Sequence, residues 1–68
     1  MDNAMLIGET LTRLRQDLHL SQREVAQACG VSVSAIGMYE SGMRIPRDTI
    51  KVKLADFYGK PVQDIFYT

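Results

Sequence analysis

Apolar residues in the first part of the chain recur at the spacing of an amphipathic helix. One stripe, with steps of four, three and four positions, contains Ile7, Leu11, Leu14 and Leu18. The stripe predicts a helix from Asn3 to Leu18, because residues at these steps share one helical face. Asn3 is the expected N-cap, and the segment around His19 ends the helix.

A capping box opens the second predicted helix. In the stretch from Ser21 to Glu24, the Ser21 hydroxyl can accept a hydrogen bond from the Glu24 amide, while the Glu24 carboxylate accepts one from the Ser21 amide. The helix is short and rich in small residues, and Gly30 ends it because glycine readily adopts a positive φ just past a helix end. We therefore expect this helix at about residues 22–29.

A third helix begins directly after the turn, with Ser32 as its N-cap. It runs from Val33 to about Ser41 and ends at Gly42. Two apolar residues on one face, Ile36 and Tyr39, are expected to fix this helix to the core. The opposite face is left outward and consists of Val33, Ser34, Gly37 and Met38.

The rest of the chain predicts two more helices. The fourth extends from Thr49 to Tyr58 and ends at Gly59, after Pro46 has marked the connection before it. Pro61 fits the first turn of a short last helix. The expected inward residues of both helices are Ile50, Leu54, Phe57 or Tyr58, Val62, Ile65 and Phe66. No segment alternates apolar and polar residues as a strand does, so the fold class is all-α, a compact bundle of about five helices.

The second and third helices have the layout of a helix-turn-helix. Such a motif needs a small residue where its helices cross, a glycine in the tight turn and an apolar residue just after it. Ala26, Gly30 and Val31 occur in that order. A DNA-binding helix presents its outer face and its N-terminal end to the major groove, and the outward residues of the third helix allow this.

At these positions the chain closely resembles the Cro and phage-repressor family of helix-turn-helix transcriptional regulators. The resemblance covers nearly the whole chain, through the segments 21–26, 30–32, 39–42 and 54–55 and through Ile36, Arg44, Pro46, Gly59, Ile65 and Phe66. It implies a lambda-repressor-like DNA-binding domain, and we expect one such domain over residues 1–68. It also implies sequence-specific binding of double-stranded DNA without a cofactor.

The resemblance assigns DNA contacts to individual residues. The residues at the positions that read base edges are Val33, Ser34 and Met38. Those expected at the phosphate backbone, among them a glutamine that also braces the third helix, are Ser21, Gln22, Arg23, Ser32, Ser41 and Arg44. Arg15 and Glu40 match a pair that forms a partly buried salt bridge between the first and third helices, where a bidentate contact would fix the helix angle.

Two departures from the family pattern change these expectations. His19 stands where family members often have glycine, so the first turn is expected to accept a non-glycine residue in the left-handed conformation. The third helix has no Arg, Lys, Gln or Asn between Ser32 and Glu40, which removes the strong bidentate base contacts. Sequence specificity would then rest on weak contacts, DNA shape and dimer spacing, with moderate affinity.

Composition and charge narrow the partners that the protein can have. Hydrophobic residues make up 46% of the 68 residues, which is typical of a folded globular protein, and basic and acidic residues balance at eight each. Residues 1–40 carry three arginines against five acidic residues, whereas residues 41–68 carry five basic residues against three aspartates. Attraction to DNA must therefore come from a few positioned cations.

The sequence gives no sign of secretion, membrane insertion or catalysis. No apolar run is long enough to span a membrane and no basic-then-apolar signal segment is present, so a cytoplasmic location is expected. Cys29 is the only cysteine, which excludes an internal disulfide and a cysteine-based metal cluster. Paired carboxylates, metal-ligand spacing and a glycine-rich phosphate loop are absent, so we do not expect an enzyme.

Each proposed contact has a structural alternative. Ser21 and Gln22 can be an ordinary capped helix start, and Ser34 and Met38 can be solvated surface. Cys29 is expected to fill a small buried site rather than to react. The basic residues after the third helix can contact phosphates or form a solvated face: we favour phosphate contact for Arg44 and leave open the roles of Arg47, Lys51 and Lys53.

Two functions are compatible with the sequence. The first is a homodimeric transcriptional regulator on a near-palindromic operator with half-sites roughly 34 Å apart. Its dimer interface is expected at the end of the chain, which carries the apolar residues Ile65, Phe66 and Tyr67. The alternative is a protein-interaction module or antitoxin that keeps the fold with weak or no DNA binding. Salt dependence would separate the two, because phosphate contacts release counterions.

Overall fold

Five α-helices and their connecting turns make up the part of the chain that the computed structural model describes, residues 3–67. They are α1 (Ala4–Asp17), α2 (Gln22–Cys29), α3 (Val33–Ser41), α4 (Asp48–Tyr58) and α5 (Val62–Phe66). The all-α prediction is confirmed, and α4 begins one residue before the predicted start. No helix within residues 3–67 has the length and apolar character needed to cross a membrane.

The predicted N-caps of α2 and α3 are present, whereas that of α1 is incomplete. Ser21 and Glu24 form a full capping box: the Glu24 amide donates to the Ser21 hydroxyl at 3.0 Å, and the Ser21 amide donates to the Glu24 carboxylate at 2.8 Å. Ser32 accepts a hydrogen bond from the Ala35 amide at 3.0 Å. Asn3 occupies the N-cap position of α1, but its side chain makes no capping hydrogen bond.

The turns on either side of α2 each contain a residue in the left-handed region. Gly30, at φ 69°, ends α2 and lets the chain reverse into α3. His19, at φ 58°, takes this conformation between α1 and α2, which confirms the expectation for that turn. A hydrogen bond from the Leu20 amide to the Arg15 carbonyl, at 3.2 Å, closes the turn around His19.

Every helix contributes to the hydrophobic core of the described residues. The largest fully buried side chains, one from each helix in chain order, are Leu11, Val25, Ile36, Leu54 and Ile65. Tyr39 is also buried, so both residues predicted to anchor α3 do so. Burial of apolar area at this meeting point is the main favourable contribution to the stability of so small a fold.

Two predictions about apolar residues are wrong. Leu18 does not continue the buried stripe of α1: the helix ends at Asp17, and Leu18, at the C-cap, is 54% exposed. Ile65 and Phe66 do not offer apolar surface to a second protomer, because α5 packs them into the core, where they are 1% and 3% exposed. Of the three predicted interface residues, Tyr67 is the exposed one.

Candidate nucleic-acid interface

The outward surface of α3 carries the residues predicted to contact bases. Ser34 is exposed, while Gly37 and Met38, three and four positions further along, are half-buried on the same helical face. We call Ser34, Gly37 and Met38 the reading face. Val33, predicted to face outward with them, is partly buried instead and packs against the core.

A salt bridge between α1 and α3 holds this helix in place. Arg15 donates to the Glu40 carboxylate through Nε at 2.8 Å and through Nη2 at 3.1 Å, so the contact is bidentate, with the side chains 15% and 7% exposed. The hydrogen bond with Glu40 raises the pKa of the Arg15 guanidinium above its ordinary value, although partial burial opposes the charge. Nη1 of Arg15 donates to the Leu20 carbonyl at 2.8 Å, which also ties down the turn before α2.

Gln22 joins the same carboxylate. Its Nε2 donates to Oε1 of Glu40 at 3.0 Å, which links the first residue of α2 to the C-terminal part of α3. The family resemblance implies that Gln22 braces the third helix, but it does not give Glu40 as the partner, since residues 18 positions apart on different helices give no local signal. Glu40 therefore accepts hydrogen bonds from α1 and α2 while belonging to α3, and it fixes the three helices relative to one another.

The serines predicted to contact phosphate differ in what they can still donate. A phosphate oxygen only accepts hydrogen bonds, so a serine must offer it the hydroxyl hydrogen. The hydroxyl oxygens of Ser21 and Ser32 accept in the caps of α2 and α3, which leaves each hydrogen available. Ser41 instead donates to the Met38 carbonyl at 3.2 Å, so it must give up that bond to reach a phosphate.

The basic residues around α3 do not share one environment. Lys51 is held within the fold: its side chain is 13% exposed, and its Nζ donates to the Tyr67 hydroxyl at 2.9 Å and lies over the Tyr67 ring. The arginines and the lysine that are exposed on α2, on α4 and in the segment between α3 and α4 are Arg23, Arg44, Arg47 and Lys53.

Cys29 is buried, as predicted for a small core residue, and the residue is 4% exposed. Burial raises the pKa of the Cys29 thiol above its ordinary value, opposed by the charge of Lys53. A thiol kept protonated in this way is a poor nucleophile and a poor metal ligand. Among residues 3–67, no group of His, Cys, Asp and Glu side chains lies close enough together to hold a metal ion.

The arrangement of two short helices, a glycine turn and an outward α3 occurs in known proteins. A family model described as helix-turn-helix matches residues 11–65. The chain belongs to the helix-turn-helix family. The cryptic phage CTXphi transcriptional repressor RstR of Vibrio cholerae is 38% identical over 60 residues, which are 88% of this chain and 54% of the repressor. The chain thus spans about half the length of that curated relative.

Two solved structures of regulatory proteins share the helix-turn-helix fold seen here. The restriction-modification controller protein C.AhdI from Aeromonas hydrophila superposes with a TM-score of 0.88 at 27% identity, over 97% of this chain and 100% of that one. The clp gene regulator ClgR from C. glutamicum superposes with a TM-score of 0.81 at 23% identity, over 94% of this chain and 83% of that one. The lambda-repressor-like fold and the resemblance to Cro and phage-repressor regulators are confirmed.

The sequence predictions above do not include one packing residue of this helix-turn-helix scaffold, Gly8. Gly8 lies inside α1, and a Cβ at this position would be 2.8 Å from the Tyr39 carbonyl oxygen on α3. A sequence signal for it exists, because a glycine inside an amphipathic helix costs about 1 kcal/mol relative to alanine and so indicates close packing.

Proposed function

We propose that this protein is a transcriptional regulator that binds a specific double-stranded DNA sequence through α3. The observation that carries the proposal is the Glu40 carboxylate, which holds α1 and α2 against α3 while Ser34 of the reading face stays exposed. Entry into the major groove requires a helix of fixed orientation with an uncovered outer face. In this proposal Ser34 hydrogen-bonds a base edge, and Met38 and the accessible part of Val33 pack on apolar groups such as the thymine methyl.

The proposed phosphate contacts come from α2 and from both ends of α3. The hydroxyl hydrogens of the two serine N-caps can reach phosphate oxygens, and so can the guanidinium groups of two exposed arginines. The Gln22 amide and the Ser41 hydroxyl supply further contacts. The full set is Ser21, Gln22, Arg23, Ser32, Ser41 and Arg44. Because only two of these residues are charged, we expect moderate affinity that depends on salt chiefly through them.

The proposal includes a homodimer. The fold measures 30 × 22 × 22 Å, so two copies side by side can place their α3 helices one turn of DNA, roughly 34 Å, apart. A near-palindromic operator would match the two-fold axis between them. We place Tyr67, which is 59% exposed, at the interface. The variant Tyr67→Ala should lower the sedimentation mass of the protein, and an unchanged mass would remove Tyr67 from the interface.

The direction of control is part of the same proposal. The relative in Vibrio cholerae is named a transcriptional repressor, and we propose repression here as well. A protein that covers an operator next to a promoter prevents transcription from it. A reporter gene placed behind the selected operator should therefore be less active when the protein is expressed, and increased activity would indicate an activator.

Selection from a pool of random-sequence duplexes tests the function. The bound fraction is sequenced, and the affinity for the recovered sequences is measured at two salt concentrations. We expect an enriched inverted repeat and an affinity that falls as salt rises. The double variant Gln22→Ala with Ser34→Ala should abolish the enrichment, whereas Gln27→Ala, which alters an exposed glutamine of the same helix, should preserve it.

Absence of any enriched sequence at low salt would overturn the proposal. The balanced net charge of the chain would then favour the second function, a protein-interaction module with this fold. Binding by such a module need not weaken as salt rises, because no phosphate counterions are released.

A further inference from the structure

The orientation of the Gln22 side-chain amide is fixed by its partner. Glu40, engaged by the Arg15 guanidinium, offers acceptor oxygens, so the group that Gln22 turns toward it must be the NH2. One Nε2 hydrogen is used in this bond at 3.0 Å. The amide keeps its oxygen and its second Nε2 hydrogen, one acceptor and one donor side by side.

The oxygen of this amide lies beside Gly37 of the reading face. A Cβ at residue 37 would lie 3.9 Å from Oε1 of Gln22, in ordinary van der Waals contact, so the oxygen lies beside Gly37 and a side chain extending beyond Cβ would compete for the same space. Gly37 shares its helical face with Ser34 and Met38. The Gln22 oxygen therefore borders the surface that is proposed to enter the major groove.

We propose that Gln22 reads an adenine in the operator. The inference rests on the proposed function and replaces one part of it, the phosphate contact of Gln22. A phosphate only accepts hydrogen bonds and cannot use Oε1, whereas adenine presents an N6 donor beside an N7 acceptor in the major groove. Oε1 accepts from N6 and the second Nε2 hydrogen donates to N7, so both hydrogens and the oxygen of the amide are used.

This contact supplies the bidentate base recognition that α3 lacks. Between Ser32 and Glu40, α3 has no side chain that can make a bidentate bond to a base. Gln22 reaches the groove from α2 through the gap at Gly37. Glu40 and Arg15 act as positioning residues, because they hold the amide in the orientation in which its oxygen faces the DNA.

Affinity measurements on the selected operator test the inference. Each base pair of a half-site is replaced in turn, and binding is measured for the unaltered protein and for the variants Gln22→Ala, Gly37→Ala and Gln27→Ala. The unaltered protein should lose roughly tenfold in affinity when one particular A·T pair is replaced. Gln22→Ala should lose this discrimination at that pair alone, and Gln27→Ala should keep it.

Gly37→Ala gives an independent test that leaves Gln22 in place. The added methyl group contacts Oε1 without a clash and narrows the space through which adenine N6 would reach it. This variant should therefore melt at or above the temperature of the unaltered protein and still show a reduced adenine preference. Full retention of the preference in Gly37→Ala would overturn the inference.

The outcomes also separate the inference from the proposed function. If Gln22→Ala weakens binding to all sequences by the same factor and lowers the salt slope by about one, Gln22 contacts a phosphate and the inference alone is wrong. An operator with no adenine preference at any position would overturn it in the same way. A failure of the unaltered protein to enrich any sequence would overturn the proposed function together with the inference.

Discussion

Helix α1 crosses α3 at Gly8, where the backbone of Glu40 lies so close that no side chain fits between the two helices. A Cβ at Gly8 would be 2.9 Å from the Glu40 carbonyl carbon and 2.8 Å from the Tyr39 carbonyl oxygen. Both are backbone atoms of a helix packed into the core, so they cannot move aside as a flexible side chain would. The absence of a side chain at Gly8 thus sets the separation at which Arg15 reaches Glu40.

Replacement of Gly8 by alanine should destabilise the protein. Overpacking at the crossing costs about 1–3 kcal/mol. Alanine recovers at most about 1 kcal/mol of helix propensity, so the net change in the free energy of unfolding should be a loss. Gly37→Ala is the matched control, because its Cβ meets only Oε1 of Gln22 at 3.9 Å and should raise stability. Urea unfolding of both variants decides the point, and equal stabilities would contradict the crossing described here.

Removal of Arg15 should cost more than removal of a neighbouring arginine. The Glu40 side chain is 7% exposed, and Arg15→Ala removes its charged partner. The same change removes the hydrogen bond that the Leu20 carbonyl accepts from Arg15. We therefore expect a loss of about 3 kcal/mol in the free energy of unfolding. Arg15→Lys should be intermediate, because an ammonium group cannot form the two-point contact. Arg13→Ala, on the exposed face of the same helix, should change stability by less than about 0.5 kcal/mol. A comparable loss in Arg13→Ala would show that the pair is not the cause.

Tyr58 should make the fold sensitive to alkaline pH. Burial, assisted by the charge of Glu40 and opposed by that of Arg15, raises the pKa of Tyr58 from 10.0 to about 12. The folded state therefore favours the protonated phenol. This contribution to stability is complete below pH 10 and is lost as the pH rises from 10 to about 12. The free energy of unfolding should fall less steeply over this interval in Tyr58→Phe, and parallel curves for the two proteins would refute the prediction.

Arg44 and Lys51 should differ in their effect on the salt dependence of DNA binding. Arg44 is exposed after α3, so Arg44→Ala should reduce the slope of log affinity against log salt by about one. Lys51→Ala should leave that slope unchanged, because its ammonium group is bound to the Tyr67 hydroxyl at 2.9 Å. Filter binding at several salt concentrations measures both slopes. A reduced slope in Lys51→Ala would mean that this lysine leaves Tyr67 to contact the DNA.

Cys29 should be protected from thiol reagents in the folded protein. Its side chain is 4% exposed and burial raises its pKa, so reaction requires both opening of the core and loss of the proton. We expect modification at pH 7 to be slower than in denaturing urea by a factor on the order of 100 or more. Equal rates in the two conditions would show that the thiol is accessible without unfolding.

Local signals account for most of the helix boundaries. The capping box of Ser21 and Glu24 and the glycine at the end of α2 were predictable because they join residues at most a few positions apart. The periodic stripe of α1 identified Ile7 and Leu11 correctly but extended too far, to Leu18. Periodicity shows which residues share a face, but it does not show where the helix loses contact with the core.

The sequence by itself determined the number and order of the helices in the described chain, the caps of α2 and α3, the glycine turn and the place of Ser34, Gly37 and Met38 on the outward face of α3. These features follow from interactions within a helix or a turn, which neighbouring residues specify. The tertiary structure decided three further matters. The first is the choice between core and interface for Ile65 and Phe66, which the sequence placed in both. The others are the close approach at Gly8 and the bond that orients Gln22. Each depends on contacts between helices, such as those of Glu40 with Arg15 and Gln22, which are far from it in the sequence. The geometry of these contacts is set only when the core packs.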